Sequence, residues 1–367
     1  AQGDITPPIG VAMAGYGARD KVSESVETPL QARAIVVESG GKYVALVLAD
    51  LIGVSPEIVA GVRSVVAQET SISPEAVMLC ASHTHWGPEV RARGYMPKHL
   101  QEAVLPEYVE GLTRTLAGVV VSAYGDLQPA MAGWGVGLAD GITFSRRTVN
   151  VDGTAAVSLT LDPKAAALAV AAGLDLNRAW PRCGDRGPRL SAPIKGMGGL
   201  RAGVTDPAVT LLRLTDPVGA GLCGLISFAC HPVIGGDDNF YAISPDYPHE
   251  ARRVFEAAVG CPLAFSLGCA GDQVPAWRRG RSRARVGGSL GAAAVRAWHQ
   301  IQDTTAEATV DSVHRSVVLD LVDLPTVEEA RQAVAAVDDS DGPAAMRQRH
   351  LLELATRYDG KPGIETE

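Results

Sequence analysis

The sequence predicts an α/β protein, in the mixed α+β sense, with mixed β-sheets covered by helices and a site at the C-terminal ends of strands. Three observations carry this prediction. Apolar runs of strand length alternate with amphipathic stretches of helix length. Residues 43–81 read as strand, helix, strand. Two separate apolar runs, Ala76–Ala81 and Leu222–Ala229, each deliver a histidine into the loop that follows.

Taken in order, Ala34–Glu38 and Tyr43–Ala49 are predicted strands joined by a turn containing Ser39, Gly40 and Gly41. Asp50 ends the second. Ser55 as N-cap and Pro56 at the first helical position open a helix to about Glu69. Strand Ala76–Ala81 follows, then a long helix from Leu100 to Ala123 and a strand near Ala130–Val136. Residues 151–204 combine Ala-rich tracts with Gly-, Arg- and Pro-rich turns and read as a variable insertion or lid. Strands Ala208–Leu214 and Leu222–Ala229, helix Pro248–Val259, strand Pro262–Leu267 and helix Gly287–Gln300 come next. Strand Val310–Leu321 and polar helices near 326–336 and 344–356 finish the chain. No internal repeat is visible. The strand-to-loop runs at His83 and at Gly271 predict one sheet with its site along one edge.

With 46% hydrophobic residues, the 367-residue chain has ample material for a core, filled by Ala, Val, Leu and Gly because aromatics are only 5%. The net charge of −8 argues against nucleic-acid and anionic-membrane binding. No apolar run reaches the roughly 18 residues of a membrane span. Six cysteines form no C-x-x-C pair, which excludes a zinc ribbon and a thioredoxin-like motif. Cys80, Cys223, Cys230 and Cys269 lie in or beside apolar runs and read as reduced core residues, which favours a cytoplasmic over a secreted setting.

The chemistry concentrates in Ser82-His83-Thr84-His85-Trp86-Gly87-Pro88. Side chains two apart on a strand project to the same side, so His83 and His85 emerge together, and paired imidazoles are a usual start for a zinc site. His231, at the end of Leu222–Cys230, repeats the placement. The bland alternative is that each histidine simply ends its strand. Asp246 in Ser244-Pro245-Asp246 reads equally as a helix N-cap or as a carboxylate of the site. Asp272, in Gly271-Asp272-Gln273, reads as turn chemistry or as a base.

These motifs, in this order, resemble the N-terminal catalytic domain of the neutral (non-lysosomal) ceramidases. The resemblance runs from Gly3-Asp4-Ile5-Thr6-Pro7 to about Arg285. It includes Met13–Tyr16, Gln31–Ala34, Ala49-Asp50-Leu51, the His83 motif, Asp206–Arg213, Ser227–His231, Ile243–Asp246 and Ala270-Gly271-Asp272 with Pro275. It implies a zinc-dependent hydrolase of an amide (N-acyl) bond, in which zinc-activated water attacks the carbonyl. His83 and His231 are the implied zinc ligands. His85 is the implied polariser of the carbonyl or proton shuttle. Arg146 is the best match to an arginine lining the family's site, with Arg147 beside it, and Asp50 and Asp246 match acidic positions behind the ligands.

Two departures matter. The family's serine in G-[DN]-x-S-P is replaced by Val274, and the Glu and Tyr that complete the family's zinc shell from further along have no visible counterpart. The chain therefore reads as a single catalytic domain, incomplete at its C-terminus. The run Arg278–Arg285 places five arginines in eight positions. It reads either as a solvated helix start or, through Arg278 and Arg279, as a rim for an anionic substrate smaller and more soluble than ceramide. Two other readings remain: a metal-dependent (β/α)8 amidohydrolase, disfavoured because two strands and a helix precede the His-x-His, and a non-catalytic binding protein on the same fold.

Overall fold

The computed structural model describes residues 1–17, 19–149, 155–157, 205–235, 239–277, 282–320, 324–337, 342–359, 361 and 363–366. The first half builds a four-stranded sheet from β1 (Gln2–Asp4), β2 (Gln31–Ser39), β3 (Lys42–Ala49) and β4 (Val77–Ala81), in the order β1-β2-β3-β4. β2 and β3 form the expected antiparallel hairpin, turning through Gly40 and Gly41 at positive φ. β4 returns parallel to β3 after helix α1 (Pro56–Glu69), because a parallel neighbour needs a crossover. Ser55 caps that helix by accepting from Ile58 N. Ile58, Val62 and Val66, four residues apart, bury one stripe of α1 against the sheet, each contributing roughly 1.5–3 kcal/mol. Helix α2 (Pro106–Gly125) covers the same face through Leu112, Leu116 and Val120.

The second half repeats this plan. β5 (Met131–Leu138), β6 (Ala208–Thr215), β7 (Gly221–Phe228) and β8 (Leu263–Leu267) form a sheet in the order β8-β7-β6-β5. β6 and β7 are antiparallel, and β8 runs parallel to β7 after helix α3 (Tyr247–Val259). α3 and α4 (Ser282–Gln300) cover its outer face through Phe255, Val286, Leu290 and Ala294.

Strand alternation assigns the remaining faces. Ile35, Leu46, Leu48 and Cys80 of the first sheet pack on Leu214, Cys223, Leu225 and Ala264 of the second. The result is four layers: helices, sheet, sheet, helices. The expectation of one sheet is corrected to two, because strands with apolar residues on both faces were buried between a helix and a second sheet. The carboxyl ends of the two parallel pairs, β3/β4 and β7/β8, lead into the loops that carry His83 and His231.

Three further expectations are corrected. The helix expected over Leu100–Ala123 is two pieces, Lys98–Gln101 and α2, because Pro106 cannot continue a helix but fits the first position of a new one. Among the described residues, the strand expected over Val310–Leu321 is only β9 (Val317–Asp320), the stretch that finds a partner strand in β10 (Gly363–Thr366). Cys269 is exposed rather than in the core, while Cys80, Cys223, Cys230 and Cys261 are at least partly buried free thiols. Helices α5 (Val327–Ala335) and α6 (Gly342–Arg357) pack on each other. Most of residues 151–204 lies outside the described residues. Among the described residues no helix is long and apolar enough to cross a membrane.

Two ion pairs tie the first sheet to the second half. Arg252 of α3 grips Asp50 bidentately, at 2.9 and 2.7 Å, with both side chains buried. Arg33 of β2 bonds Glu256 of α3 and the carbonyl of Leu263. Arg252→Leu leaves a buried carboxylate without its cation and is expected to lower unfolding free energy by about 3–5 kcal/mol in urea titrations. The double variant Asp50→Asn/Arg252→Leu keeps an acceptor for Gln31 N and is expected to recover most of that loss. On β5, Gly133, Gly135 and Gly137 face α4 and its C-terminal extension. A Cβ at Gly137 would lie 2.7 Å from the carbonyl of Ala293. Gly137→Val is expected to cost about 1–3 kcal/mol by the same titration.

Candidate metal centre

β4 ends at Ala81, and the chain then turns sharply. Ser82 N bonds Ala49 O, and His83 N bonds Leu51 O. His83 adopts φ 66°, a left-handed conformation that a non-glycine residue takes only where its surroundings enforce it. That turn sends the imidazole back across the end of the sheet, where Nδ1 meets Ile52 O at 2.7 Å. His231 is held in the same way. Its N–H bonds Gln273 O, and its ring Nδ1 lies 2.6 Å from Ala270 O. With Nδ1–H donating to a backbone carbonyl, each ring keeps its Nε2 lone pair for a metal.

His85 completes the group. The ring nitrogens that His83, His85 and His231 could offer a metal all lie within 4.8 Å of one another. The His83 and His231 rings are the nearest pair, with centroids 4.8 Å apart, against 5.1 Å for His83–His85 and 5.7 Å for His85–His231. His83 and His85 come from one loop and His231 from another, and imidazole nitrogen is a donor type suited to zinc and related metals. The group could thus hold a metal ion.

The His85 loop is stitched down on both sides. His85 N bonds Pro232 O, Trp86 O accepts from Ser244 N, and Thr84 Oγ1 donates to Ser244 O. Gly15, at φ +98°, gives the His85 ring its space: a Cβ there would lie 2.5 Å from His85 Cγ. Gly235, at φ +70°, does the same for Trp86, where a Cβ would lie 1.8 Å from the ring.

Arg146 lies in the turn after the short strand Thr143–Ser145 and is tied to the loop that follows β8. Its N–H bonds Asp272 O, and Nε and Nη2 bond Gly271 O at 2.9 and 2.6 Å. Burial first, then the nearby Arg146 guanidinium, pushes the His231 pKa below the ordinary imidazole value, against the opposing hydrogen bond to Ala270. That shift favours the neutral imidazole, the form able to bind a metal. Arg147, the other candidate, is exposed at the start of a short strand.

The carboxylates sit differently. Asp272 meets Arg146 through its backbone carbonyl, and its side chain is half-buried. Asp50 is engaged by Arg252 and Gln31 N, which anchors the Leu51–Ile52 turn under His83. Asp246 caps α3 by accepting from Tyr247 N and holds the chain after His231 by accepting from Gly235 N at 2.8 Å. Burial raises its pKa against these bonds, and it is the other non-glycine residue at positive φ among those described. Arg278 and Arg279 lie outside the described residues. Further along the same run, Arg283 bonds Ser244 Oγ and Glu27, and Arg285 stacks over Trp277 at 3.7 Å. That part of the run is built into the start of α4.

Arg19, Tyr16 and Arg252 were not legible as parts of this centre. Their only signal was the position of Tyr16 beside Gly15 in a segment already singled out. Arg19 is buried and donates from Nη1 to His85 O at 2.8 Å, and the Tyr16 ring packs edge-on to His85 at 5.1 Å.

No protein-family model and no curated protein matches the chain. Among solved structures it is similar to a ceramidase complexed with C2, with TM-score 0.61 and 20% identity over 90% of this chain and 47% of that one. It is also similar to the neutral ceramidase of Pseudomonas aeruginosa, with TM-score 0.58 and 20% identity over 90% of this chain and 48% of that one. The chain thus spans about half the length of these proteins, and the likeness establishes a ceramidase-like α/β fold.

Proposed function

We propose that the chain is a zinc-dependent hydrolase of an amide bond in a small N-acyl compound bearing an anionic group. The observation that carries the reading is the convergence of His83, His85 and His231 from the carboxyl ends of two sheets whose fold is ceramidase-like. His83 and His231, each with Nδ1 against a backbone carbonyl, would hold the metal. A bound zinc ion supplies Lewis acidity, lowering the pKa of a water to about 7 and polarising a carbonyl.

The chain's own residues do the rest. His85, within 4.8 Å of both ligands, takes the proton of the attacking water as the C–O bond forms and returns it to the departing amine as the C–N bond breaks. Arg146, anchored on Gly271 and close enough to depress His231, offsets negative charge on the carbonyl oxygen. The same cation favours a substrate with a carboxylate or similar group over a neutral lipid. Val274, fully buried in the strand Gln273–Pro275, has no proton to give, so catalysis rests on His85 and Arg146. That valine is also the observation favouring a second reading, a protein that binds such ligands without hydrolysing them.

The test is elemental mass spectrometry beside turnover on a panel of N-acyl amino acids and N-acyl amines. His83→Ala and His231→Ala are expected to lose zinc and turnover together, while His85→Ala keeps most of the zinc and loses about 10²–10⁴-fold in kcat. Full activity in His83→Ala would sink the proposal. Zinc retained with no turnover across the panel would support the binding reading.

A further inference from the structure

Arg19 lies in a loop, yet it is 3% exposed and meets no carboxylate among the described residues. A buried cation of that kind needs other compensation. It finds it in three carbonyls and three aromatic rings. Nε donates to Phe240 O, and Nη1 donates to both Ala14 O and His85 O. The guanidinium carbon lies 5.0 Å from the Tyr16 ring, 4.8 Å from Trp86 and 4.7 Å from Phe240. Burial lowers its pKa to about 10, which still leaves it charged at neutral pH.

Nη2 makes no hydrogen bond among the described residues. A flexible aliphatic side chain would fill the same aromatic cage without burying an unused donor. What the guanidinium adds, besides tying Phe240 O through Nε, is a single nitrogen, Nη1, that joins the carbonyls of Ala14 and His85. Those carbonyls border the seat of one side chain. Ala14 precedes Gly15, whose missing Cβ admits the His85 ring, and Tyr16 forms the next wall. His85 itself follows the end of β4 and has no ladder to align it. Its N–H is held by Pro232 O and its C=O by Arg19.

We infer that Arg19 is a positioning residue for His85: it fixes the peptide that carries the proton-transfer imidazole, and it acts through that residue alone. This rests on the hydrolase reading for its catalytic consequence, but the positioning itself is measurable without substrate. An error of about 1 Å in such a group costs on the order of 10²-fold in rate, so the constraint has work to do in this loop.

The test uses Arg19→Lys, which keeps the charge and loses the planar group that ties three carbonyls together, and Phe240→Leu, which loosens the cage at a residue 36% exposed. Hydrogen exchange followed by mass spectrometry is expected to rise in residues 84–87 of both variants and to stay unchanged in Val77–Ala81. With a substrate in hand, Arg19→Lys is expected to lower kcat about 10–100-fold with KM within about twofold. In a His85→Ala background the same substitution is expected to have no further effect, which a purely structural role would not produce. Unchanged exchange in residues 84–87, or an equal kcat loss in the His85→Ala background, overturns the inference. If Arg19→Lys does not fold, Phe240→Leu carries both measurements. If the wild type hydrolyses nothing, the hydrolase reading fails, while exchange still decides whether Arg19 holds His85.

Discussion

The face-to-face contact of the two sheets is the constraint on which the rest of the molecule depends. Ile35, Leu46, Leu48 and Cys80 meet Leu214, Cys223, Leu225 and Ala264 in a thin layer of aliphatic and small side chains. Its thickness sets the distance between the ends of β4 and β7, and so between His83 and His231. Packed sheets sit near 10 Å apart, too far for two backbones to share an ion but within reach of two imidazoles that turn toward each other. The left-handed turn at His83 supplies that change of direction. The ion pairs Asp50–Arg252 and Arg33–Glu256 fasten the same two halves from the side.

Strain and polarity collect around this junction. Among the described residues, the non-glycine positions with positive φ are His83 and Asp246, one bearing a ring of the centre and the other capping the helix behind it. Both are over-determined. His83 is fixed by Leu51 and Ile52, and Asp246 by Gly235 and Tyr247. Backbone strain persists when its surroundings leave no alternative, and it concentrates where side chains must be aimed. The centre is thus aimed by backbone carbonyls and loop contacts more than by regular ladders. This is why Arg19, far from the metal-ligating atoms in chemical type, belongs to its architecture.

Much of the plan was legible because local signals agreed. Ser55-Pro56 marked a helix start that the structure places at the same residues, and the apolar runs before His83 and His231 identified the strands that carry them. The three histidines were legible for the same reason: a polar, ligand-capable residue directly after a buried strand has few structural uses. What was not legible depends on distant pairings. One sheet and two sheets have the same local pattern, since both bury the strands on two faces. Asp50 finds Arg252 across 202 positions of sequence, and Arg19 finds the carbonyl of His85 across 66, with no periodicity to announce either. The break before Pro106 was misjudged where an apolar stripe ran through a residue unable to continue a helix.

The glycines of β5 have a consequence for folding. Gly133, Gly135 and Gly137 lie under Ala293, Ala297 and Ile301, while Trp134, Val136 and Leu138 of the same strand face away and are exposed. A slip of one residue along β6 would exchange the two sets and drive an indole and two branched side chains toward a gap too narrow for a methyl group. The glycine face therefore acts as a key that admits one alignment of this edge strand. The correct pairing is selected by exclusion, through the absence of side chains, although the strand's apolar residues alone would favour burying the opposite face.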